Sequence, residues 1–384
     1  MMAGKRPTKH TRPITPDREI DIRLMRRAIA LARRGEGLVE PNPLVGCVLA
    51  RSGRVISEGF HRRFGMAHAE INALASCRRP VRGATAYVSL EPCCHHGKTP
   101  PCCDALIEVG VGRVVVGTLD PNPQVSGKGV QRLRSGGVVV DVGVCEEEAR
   151  LRIAPFATRI LHDRPYVIAK WAQTLDGKIA TVTGDSKWIS CENSRKQVHR
   201  LRGRVDVILV GVGTVLADDP MLTARGVRLR RVAVRVVLDT QLRTPLESQL
   251  VRSVGSAPTV IMTTTGQAKS QKARRLSAAG VEVVGCRSRG GLIDVRDSLG
   301  RLARRDATNI LVEGGSKVLS SFFSRRLIDE AYVYVAPAIL GGEGAPSVST
   351  GRNVKRIAES LRPNSTRWRR CGDDMCAHLR FNTP

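Results

Sequence analysis

Short apolar runs alternate with helical segments along most of this chain, and this alternation limits the folds open to it more than any other feature. In the first half the apolar runs lie at 44–50, 84–91, 113–120 and 138–144. The segments between them carry apolar residues at helical spacing. Strands that alternate with helices favour a largely parallel sheet with helices on its faces. The sequence therefore predicts an α/β fold.

A chain of 384 residues is too long for one ordinary core, so two domains are expected. The alternation restarts after Pro165, where the predicted strands are YVIAKWAQT, VDVILVG, RVAVRVVLD, PTVIMTT, VEVVGC, NILVEGG and EAYVYVAPAI. We predict α/β domains at 17–161 and 165–384, preceded by a disordered basic tail at 1–16.

The formal net charge of +27, from 62 basic and 35 acidic residues, raises the question of a nucleic-acid partner. The basic residues are mostly arginine, are spread along the chain and form no block with interleaved aromatics, so we expect no nucleic-acid partner. The chain contains no run of about 18 apolar residues, so no membrane span is predicted. The N-terminus lacks the apolar core of a secretory signal, and we expect a cytoplasmic protein. Disulfides are rare in the cytoplasm, so the eleven cysteines are better explained by metal binding.

A metal-binding pattern stands in the first half. His68-Ala69-Glu70 followed by Pro92-Cys93 forms the opening of the zinc nucleobase-deaminase signature, H-x-E…P-C-x-x-C. One imidazole and two thiolates hold zinc and leave its fourth position open to water. Glu70 is too close to His68 to be a ligand and suits a proton shuttle. Because side chains two residues apart diverge by about 200° in a helix, we expect His68 at a helix edge and Glu70 in the first turn.

The second thiolate departs from that signature, because position 96 is a histidine. The pairs Cys93/Cys102 and Cys94/Cys103 have the same spacing, so spacing does not choose between them. Cys93 and Cys102 each follow a proline, and Cys102 falls in the first turn of a predicted helix, where the helix dipole stabilises a thiolate. We favour Cys93 and Cys102, which leaves Cys94 and Cys103 as buried side chains or spectators near the site.

These motifs resemble a known family. HAE, PCCHHGKTPPC and LDPNPQVSGKG occur in the order found in the bacterial riboflavin-biosynthesis bifunctional deaminase/reductase family, and the resemblance covers roughly residues 17–380. It implies a cytidine-deaminase-like α/β/α zinc domain followed by a dihydrofolate-reductase-like α/β domain that uses NADPH. It also implies a second thiolate from the inserted loop, matching Cys102, and a homo-oligomer.

The resemblance carries functional residues over one position at a time. For the deaminase substrate, a ribosylaminopyrimidine 5′-phosphate, the matching residues are Asn42, His61, His95, Lys98, Asp120 and Asn122. For the reductase substrate they are Ser186, Arg202, Leu222, Arg225 and Glu313, and for the cofactor they are Ala172, Trp188, Thr214, Asp218, Thr240 and Gly315. Each has a plainer alternative: Asn42 and Asn122 stand beside prolines and could simply form turns, and Trp188 alone would be a core residue.

Residue chemistry in the second half agrees with part of this. No Rossmann fingerprint occurs, but NILVEGGSKVLSSFF places Gly314-Gly315 between a strand and a helix that begins with Ser316. Exposed amides at such a helix start form an anion site suited to cofactor phosphates, although an ordinary strand–helix turn would look the same. Two arginines suit a sugar phosphate, and Lys170 and Asp176 are expected to flank the same pocket.

The expected function is zinc-dependent deamination of 2,5-diamino-6-ribosylamino-4(3H)-pyrimidinone 5′-phosphate, then NADPH-dependent reduction of its ribosyl group to ribityl. An RNA-directed deaminase stays open as an alternative, although it leaves the second half unexplained. A structural zinc site also stays open, and it would need Cys94, Cys103 or His96 as a fourth ligand. Cys371 and Cys376 are expected at the surface or at a strand edge.

Overall fold

The computed structural model describes residues 16–94, 101–348 and 354–381 and divides the chain into two compact units. The first comprises 1–35 and 44–152, and the second comprises 36–43 and 153–384. The predicted tail lies, but for its last residue, outside the described residues, as do His95, His96 and Lys98. No helix in the described part of the chain is long and apolar enough to cross a membrane.

The first unit is built on one five-stranded sheet. Its elements in chain order are α1 (Pro16–Ala32), β1 (Gly46–Arg51), β2 (Arg54–Phe60), α2 (Ala69–Ala75), β3 (Thr85–Val88), α3 (Cys102–Glu108), β4 (Arg113–Val116), α4 (Lys128–Ser135), β5 (Val139–Val142) and α5 (Glu146–His162). The strand order is β2-β1-β3-β4-β5. The three strands β3, β4 and β5 are parallel, whereas β1 pairs antiparallel with both β2 and β3. The sequence pattern missed β2, whose half-buried residues lack a clear apolar run.

Alternation along β1 shows how helices come to cover both faces of this sheet. Cys47 and Leu49 pack in one apolar cluster with side chains of α2, α3 and α4, while Val48 and Ala50 pack in another with α1. Successive side chains of a strand point to opposite faces, so one strand contributes side chains to the apolar clusters on both faces of the sheet. Gly59 of β2 permits a close approach to α2, because a Cβ there would lie 2.3 Å from Ala69 O. The start of α2 is thereby held directly against the sheet.

The second unit is built on a nine-stranded sheet. Its elements are β6 (Tyr166–Gln173), α6 (Glu192–Arg202), β7 (Val207–Gly211), α7 (Val212–Asp218), β8 (Val234–Leu238), α8 (Gln249–Arg252), β9 (Thr259–Thr264), α9 (Gln271–Ala278), β10 (Glu282–Cys286), β11 (Ser288–Arg289), β12 (Leu292–Ile293), α10 (Val295–Ala303), β13 (Asn309–Val312), α11 (Ser316–Ser324), β14 (Glu330–Val335), β15 (Ser365–Cys371) and β16 (Asp374–Arg380). The strand order is β10-β9-β8-β7-β13-β6-β14-β16-β15, and the strands from β10 to β14 run parallel. All seven predicted strands are present.

The C-terminal hairpin β15–β16 pairs antiparallel and closes one edge of this sheet. Of the two positions expected for its cysteines, the surface is wrong, whereas Cys371 does end the edge strand β15. Cys371 and Cys376 are 3% and 0% exposed and belong to the core. The error arises because the residues before Cys371 in RWRRC are exposed and mostly charged, so the sequence pattern does not indicate that the last residue of the strand is buried.

Candidate active sites

His68, Cys93 and Cys102 form the one cluster of metal-ligand side chains found among the described residues, with ligand atoms all within 4.8 Å of one another. His68 Nδ1 lies 3.5 Å from Cys93 Sγ and 3.3 Å from Cys102 Sγ. Zinc–nitrogen and zinc–sulfur bonds of usual length place ligand atoms about 3.6 Å apart in a tetrahedron. An imidazole and two thiols at this separation therefore fit a zinc ion.

Two helix starts bring these side chains together. His68 is the N-cap residue of α2, and Glu70 lies in its first turn, which confirms the expected placement. Cys102 is the first residue of α3, and its backbone N–H donates to Cys93 Sγ over 3.4 Å. The pKa of Cys93 is lowered to about 4, because the Cys102 thiol and the His68 ring hydrogen-bond to its sulfur. The geometry therefore favours a thiolate at this point.

Glu70 lies beside the cluster with only 3% of its surface exposed. Burial, followed by the negative charge of Cys93, raises its pKa to about 7. A carboxyl group with a pKa near neutrality can both accept and release a proton. A bound divalent cation would shift that pKa downward again.

The other cysteine pair is turned away from this point. Cys103 is fully buried, and its thiol donates to Pro92 O over 3.3 Å. Cys94 is half-buried and packs at the edge of the apolar cluster on the same face of the sheet. The structure thus brings together the pair favoured on the grounds of proline position and helix dipole.

His61 is the predicted substrate residue that lies nearest the cluster. Its ring stands edge-on to that of His68, with centroids 5.3 Å apart, and its Nδ1 lies 3.1 Å from Ala67 O. Burial lowers the pKa of His61, which favours a neutral ring. Asn72 donates to the carbonyl groups of Phe60 and Ala67 and so ties down both ends of the loop that carries His61.

Asp120 and Asn122 lie in a turn after β4. The carboxylate of Asp120 accepts the N–H of Asn122 at 2.8 Å, and the amide oxygen of Asn122 accepts the N–H of Gln124 at 3.0 Å. The plainer alternative, that Asn122 makes a turn, therefore holds alongside any substrate role. Asn42 stands in segment 36–43, which packs with the second unit.

Glu91 was not predicted from the sequence to belong to the site. Its side chain is 5% exposed and accepts the backbone N–H groups of Asp120, Gly127 and Val130 over 3.0–3.1 Å. It thereby fastens the loop of Asp120 to the strand end that leads into Cys93. Its position directly before Pro92-Cys93 is the sequence feature that could have indicated this role.

The second unit holds a cavity of about 1120 Å³ at the carboxyl ends of its parallel strands, where such sheets bind ligands. This volume exceeds the roughly 300–1,000 Å³ of a pocket for one small molecule, so a cofactor and a substrate can share it. All eleven reductase residues predicted from the sequence line it: Ala172, Ser186, Trp188, Arg202, Thr214, Asp218, Leu222, Arg225, Thr240, Glu313 and Gly315.

An ion pair forms part of the cavity wall. Arg202 Nε lies 2.5 Å from Glu313 Oε1, and Arg202 Nη2 lies 2.8 Å from Glu313 Oε2. Burial alone would raise the pKa of Glu313, but the charge and hydrogen bonds of Arg202 outweigh it and the pKa is lowered. Lys170 lines the same wall, and burial lowers its pKa. At this part of the wall one carboxylate thus lies among basic groups.

Trp188 does not follow the default expectation of a core tryptophan. It is 70% exposed, and the guanidinium of Arg195 stands 4.7 Å from its ring centroid. The neighbouring Lys187 reaches Asp218 across the cavity wall, with Nζ to Oδ1 at 3.4 Å. An exposed aromatic ring at a cavity wall offers a flat surface to a ligand.

The glycine turn after β13 fits a nicotinamide dinucleotide. Gly314 has φ +117°, a conformation open to glycine, and no side chain among the described residues caps the start of α11. The first amides of the nine-residue helix α11 therefore remain for an anion. A Cβ on Gly315 would lie 3.7 Å from Thr214 Oγ1, so the turn comes close to α7.

Asp176 was expected to flank this cavity, and that expectation is wrong. It is not among the cavity-lining residues of the described chain. Its carboxylate instead accepts the hydroxyl of Thr174 at 2.5 Å and the amides of Leu340 and Gly341 at 3.3 and 2.8 Å. Its role is to join two loops.

Two family models match the chain. The cytidine and deoxycytidylate deaminase zinc-binding region matches residues 18–118, and the RibD C-terminal domain matches residues 165–377. Riboflavin biosynthesis protein RibD of Aquifex aeolicus (strain VF5) is 43% identical over 358 residues, which are 93% of this chain and 98% of that protein. RibD of Escherichia coli (strain K12) is 37% identical over 367 residues, which are 92% of this chain and 98% of that protein.

Two solved structures are similar over nearly the whole length of this chain. The diaminohydroxyphosphoribosylaminopyrimidine deaminase/5-amino-6-(5-phosphoribosylamino)uracil reductase of Thermotoga maritima has a TM-score of 0.83 and 38% identity, covering 95% of this chain and 100% of that one. RibD of Acinetobacter baumannii has a TM-score of 0.82 and 34% identity, and the match covers 95% of this chain and 99% of that one.

The fold, the metal cluster and the cavity define a two-domain enzyme, a zinc-binding deaminase joined to a reductase. The chain belongs to the RibD family of bifunctional deaminase/reductase enzymes of riboflavin biosynthesis, which confirms the resemblance seen in the sequence. It has both activities, acts on small-molecule substrates and uses zinc and NADPH.

Proposed function

We propose that the chain carries out two successive steps on one pyrimidine. The first unit replaces the 2-amino group of 2,5-diamino-6-ribosylamino-4(3H)-pyrimidinone 5′-phosphate by oxygen and releases ammonia. The second unit reduces the product, 5-amino-6-(5-phosphoribosylamino)uracil, to its ribityl form. The substrates named for the Thermotoga maritima relative support this assignment.

In the deaminase step His68, Cys93 and Cys102 would hold zinc, which lowers the pKa of water so that it attacks at neutral pH. Glu70 takes one proton from the attacking water and gives it to the ring nitrogen; it then takes the proton of the new hydroxyl group and gives it to the amino group, which leaves as ammonia. Burial of Glu70 within this site keeps bulk water from competing for that proton. His61, His95 and Lys98 are proposed to hold the substrate, together with the residues of the two turns, Asn42, Asp120 and Asn122.

In the reductase step bound NADPH would supply a hydride for C1′ of the open-chain imine of the ribosylamino group. The imine nitrogen gains the electron pair of the C=N bond and then a proton, so the product is an amine. We assign Arg225 and Arg202 to the sugar phosphate. Glu313 is proposed to orient the ribose hydroxyls. Ser186 and Leu222 complete the substrate wall.

The cofactor is proposed to lie along Ala172, Trp188, Thr214, Asp218, Thr240 and Gly315, with its pyrophosphate at the start of α11. We also propose functional domains at 17–161 and 165–384, a cytoplasmic location and a homo-oligomer. Size-exclusion chromatography with light scattering tests the last of these.

The observation that carries the proposal is the meeting of His68, Cys93 and Cys102 next to a buried Glu70. The test is a coupled assay of the full chain with the diaminopyrimidine phosphate and NADPH, in which ammonia and NADPH are followed together, beside Glu70→Ala. The wild type should release ammonia before it consumes NADPH. The variant should do neither, yet should oxidise NADPH when the deaminated intermediate is added. A zinc-loaded, folded wild type that releases no ammonia would contradict the substrate assignment and would favour the RNA-directed alternative.

A further inference from the structure

The segment at 222–225 carries two of the residues proposed for the reductase substrate, and it has no regular secondary structure. Leu222 anchors its start, since this side chain is 3% exposed and packs in the core of the second unit. Three residues further on, Arg225 is exposed. The position of the Arg225 guanidinium therefore depends on the contacts that hold the backbone beyond Leu222.

His199 makes two such contacts. It lies in the last turn of α6, is half-buried and lines the cavity. Its Nδ1 lies 3.2 Å from Thr223 O and 3.3 Å from the backbone nitrogen of Arg225. In a neutral imidazole one ring nitrogen donates a hydrogen bond and the other accepts one, so Nδ1 can serve only one of these two groups at a time.

The other partners of the two groups decide which one Nδ1 serves. Thr223 O already accepts a hydrogen bond from Arg202 Nη1 over 3.3 Å, and the same guanidinium is held by Glu313. The N–H of Arg225 has no acceptor other than His199 Nδ1 in the described part of the chain. Both groups are satisfied when Nδ1 is unprotonated and accepts from Arg225, with the ring proton on Nε2.

The charges around His199 favour the same state. Burial, followed by the positive charges of Arg202 and Arg225, lowers the pKa of His199. The hydrogen bond to Thr223 O and the carboxylate of Glu313 act in the opposite direction and are outweighed. The ring is therefore neutral near pH 7 and keeps a lone pair for the N–H of Arg225.

We propose that His199 is a positioning residue of the reductase, whose Nδ1 holds the backbone of Arg225 so that its guanidinium faces the sugar phosphate. The inference rests on the proposed function, in which Arg225 binds that phosphate. The 5′-phosphate is at the other end of the ribose from C1′, where the hydride adds. The contact therefore strengthens binding of substrate and transition state alike, and its loss should change KM rather than kcat.

Substitutions at His199 can remove or keep the acceptor. His199→Phe keeps a planar ring without any nitrogen. His199→Asn places an amide oxygen about where Nδ1 stands, so it can still accept the N–H of Arg225. His162→Phe is the matched control, because His162 is exposed at the end of α5 and does not line the cavity.

The measurement is steady-state reduction of 5-amino-6-(5-phosphoribosylamino)uracil, supplied directly to the full chain with NADPH. His199→Phe should raise the KM for the pyrimidine phosphate by about 3- to 10-fold, the equivalent of one lost hydrogen bond. Its kcat and its KM for NADPH should stay as in the wild type. His199→Asn should recover most of the loss, and His162→Phe should show none. Should His199→Phe not fold, His199→Leu serves for the same comparison.

A double substitution tests whether His199 acts through Arg225. Arg225→Gln alone should raise the KM for the pyrimidine phosphate. Adding His199→Phe to it should raise that KM little further, because two residues that serve one interaction do not have additive effects.

An unchanged KM in His199→Phe overturns the inference. So do equal losses in His199→Phe and His199→Asn, which would assign the effect to packing, and a full additional loss in the double variant. A wild type that does not reduce the intermediate, or a normal KM in Arg225→Gln, would instead contradict the proposed function. The two failures are therefore distinguishable.

Discussion

Arg202 and Glu313 face each other through two hydrogen bonds, with a side-chain exposure of 14% and 5%. The pair joins α6 to the residue that follows β13 and stands in the wall of the reductase cavity. Removal of one partner from such a buried pair leaves an uncompensated charge and costs about 3–5 kcal/mol of stability.

Glu313→Gln should therefore destabilise the second unit and lower its kcat/KM by roughly 100-fold, the equivalent of a lost charged hydrogen bond. Ammonia release from the diaminopyrimidine substrate should be kept, since it depends on the first unit. The double change Arg202→Met with Glu313→Leu should recover stability but not reductase activity. Recovery of both would show that the pair serves stability alone.

The assignment of the second thiolate predicts zinc content. Cys102→Ser should lose zinc, as measured by atomic absorption, together with ammonia release, because a serine hydroxyl is a poor zinc ligand. Cys103→Ser is the matched control. Its hydroxyl can still donate to Pro92 O, so this variant should keep one zinc per chain. Zinc retained in Cys102→Ser and lost in Cys103→Ser would reverse the assignment.

Glu91 predicts a link between loop order and substrate affinity. Glu91→Gln places an amide group against three backbone N–H donors, so at least one bond is lost at a cost of about 1–3 kcal/mol. We expect a lower thermal midpoint and a higher KM for the pyrimidine phosphate, with zinc content unchanged. Glu108→Gln, at an exposed position of α3, should alter none of these values.

Asp176 predicts a pH-dependent loop contact. The hydrogen bond from Thr174, followed by that from the Gly341 amide, lowers its pKa to about 2. The usual value in an unfolded chain is about 3.9. A depressed pKa stabilises the folded state above that value, and this contribution is lost as the pH falls from about 4 to about 2.

Hydrogen exchange at Leu340 and Gly341 measures this effect. Amide protection, corrected for intrinsic rates, should decrease over that pH range in the wild type. In Asp176→Asn it should be low and independent of pH, whereas Asp185→Asn should behave as the wild type. A pH-dependent decrease that survives in Asp176→Asn would assign the effect to another group.

Local chemistry made much of the fold and part of the sites predictable. The positions of His68 and Glu70 follow from the geometry of a single helix turn, and the structure has them there. The strands of the second unit were found because each is a short apolar run bounded by turns. By contrast, β2 and the hairpin β15–β16 were missed, because polar residues on an exposed face or at a sheet edge mask the pattern.

The sequence by itself determined the order of elements, the ligand types and the family, because these depend on neighbours along the chain. Only the tertiary structure turned Cys103 toward Pro92 O, placed Glu91 under three amides and left Trp188 exposed at the cavity. It also brought the ring of His199 to the backbone N–H of Arg225. These relations join residues far apart in sequence, and they exist only once strand order and helix packing have been decided by burial of the shared cores.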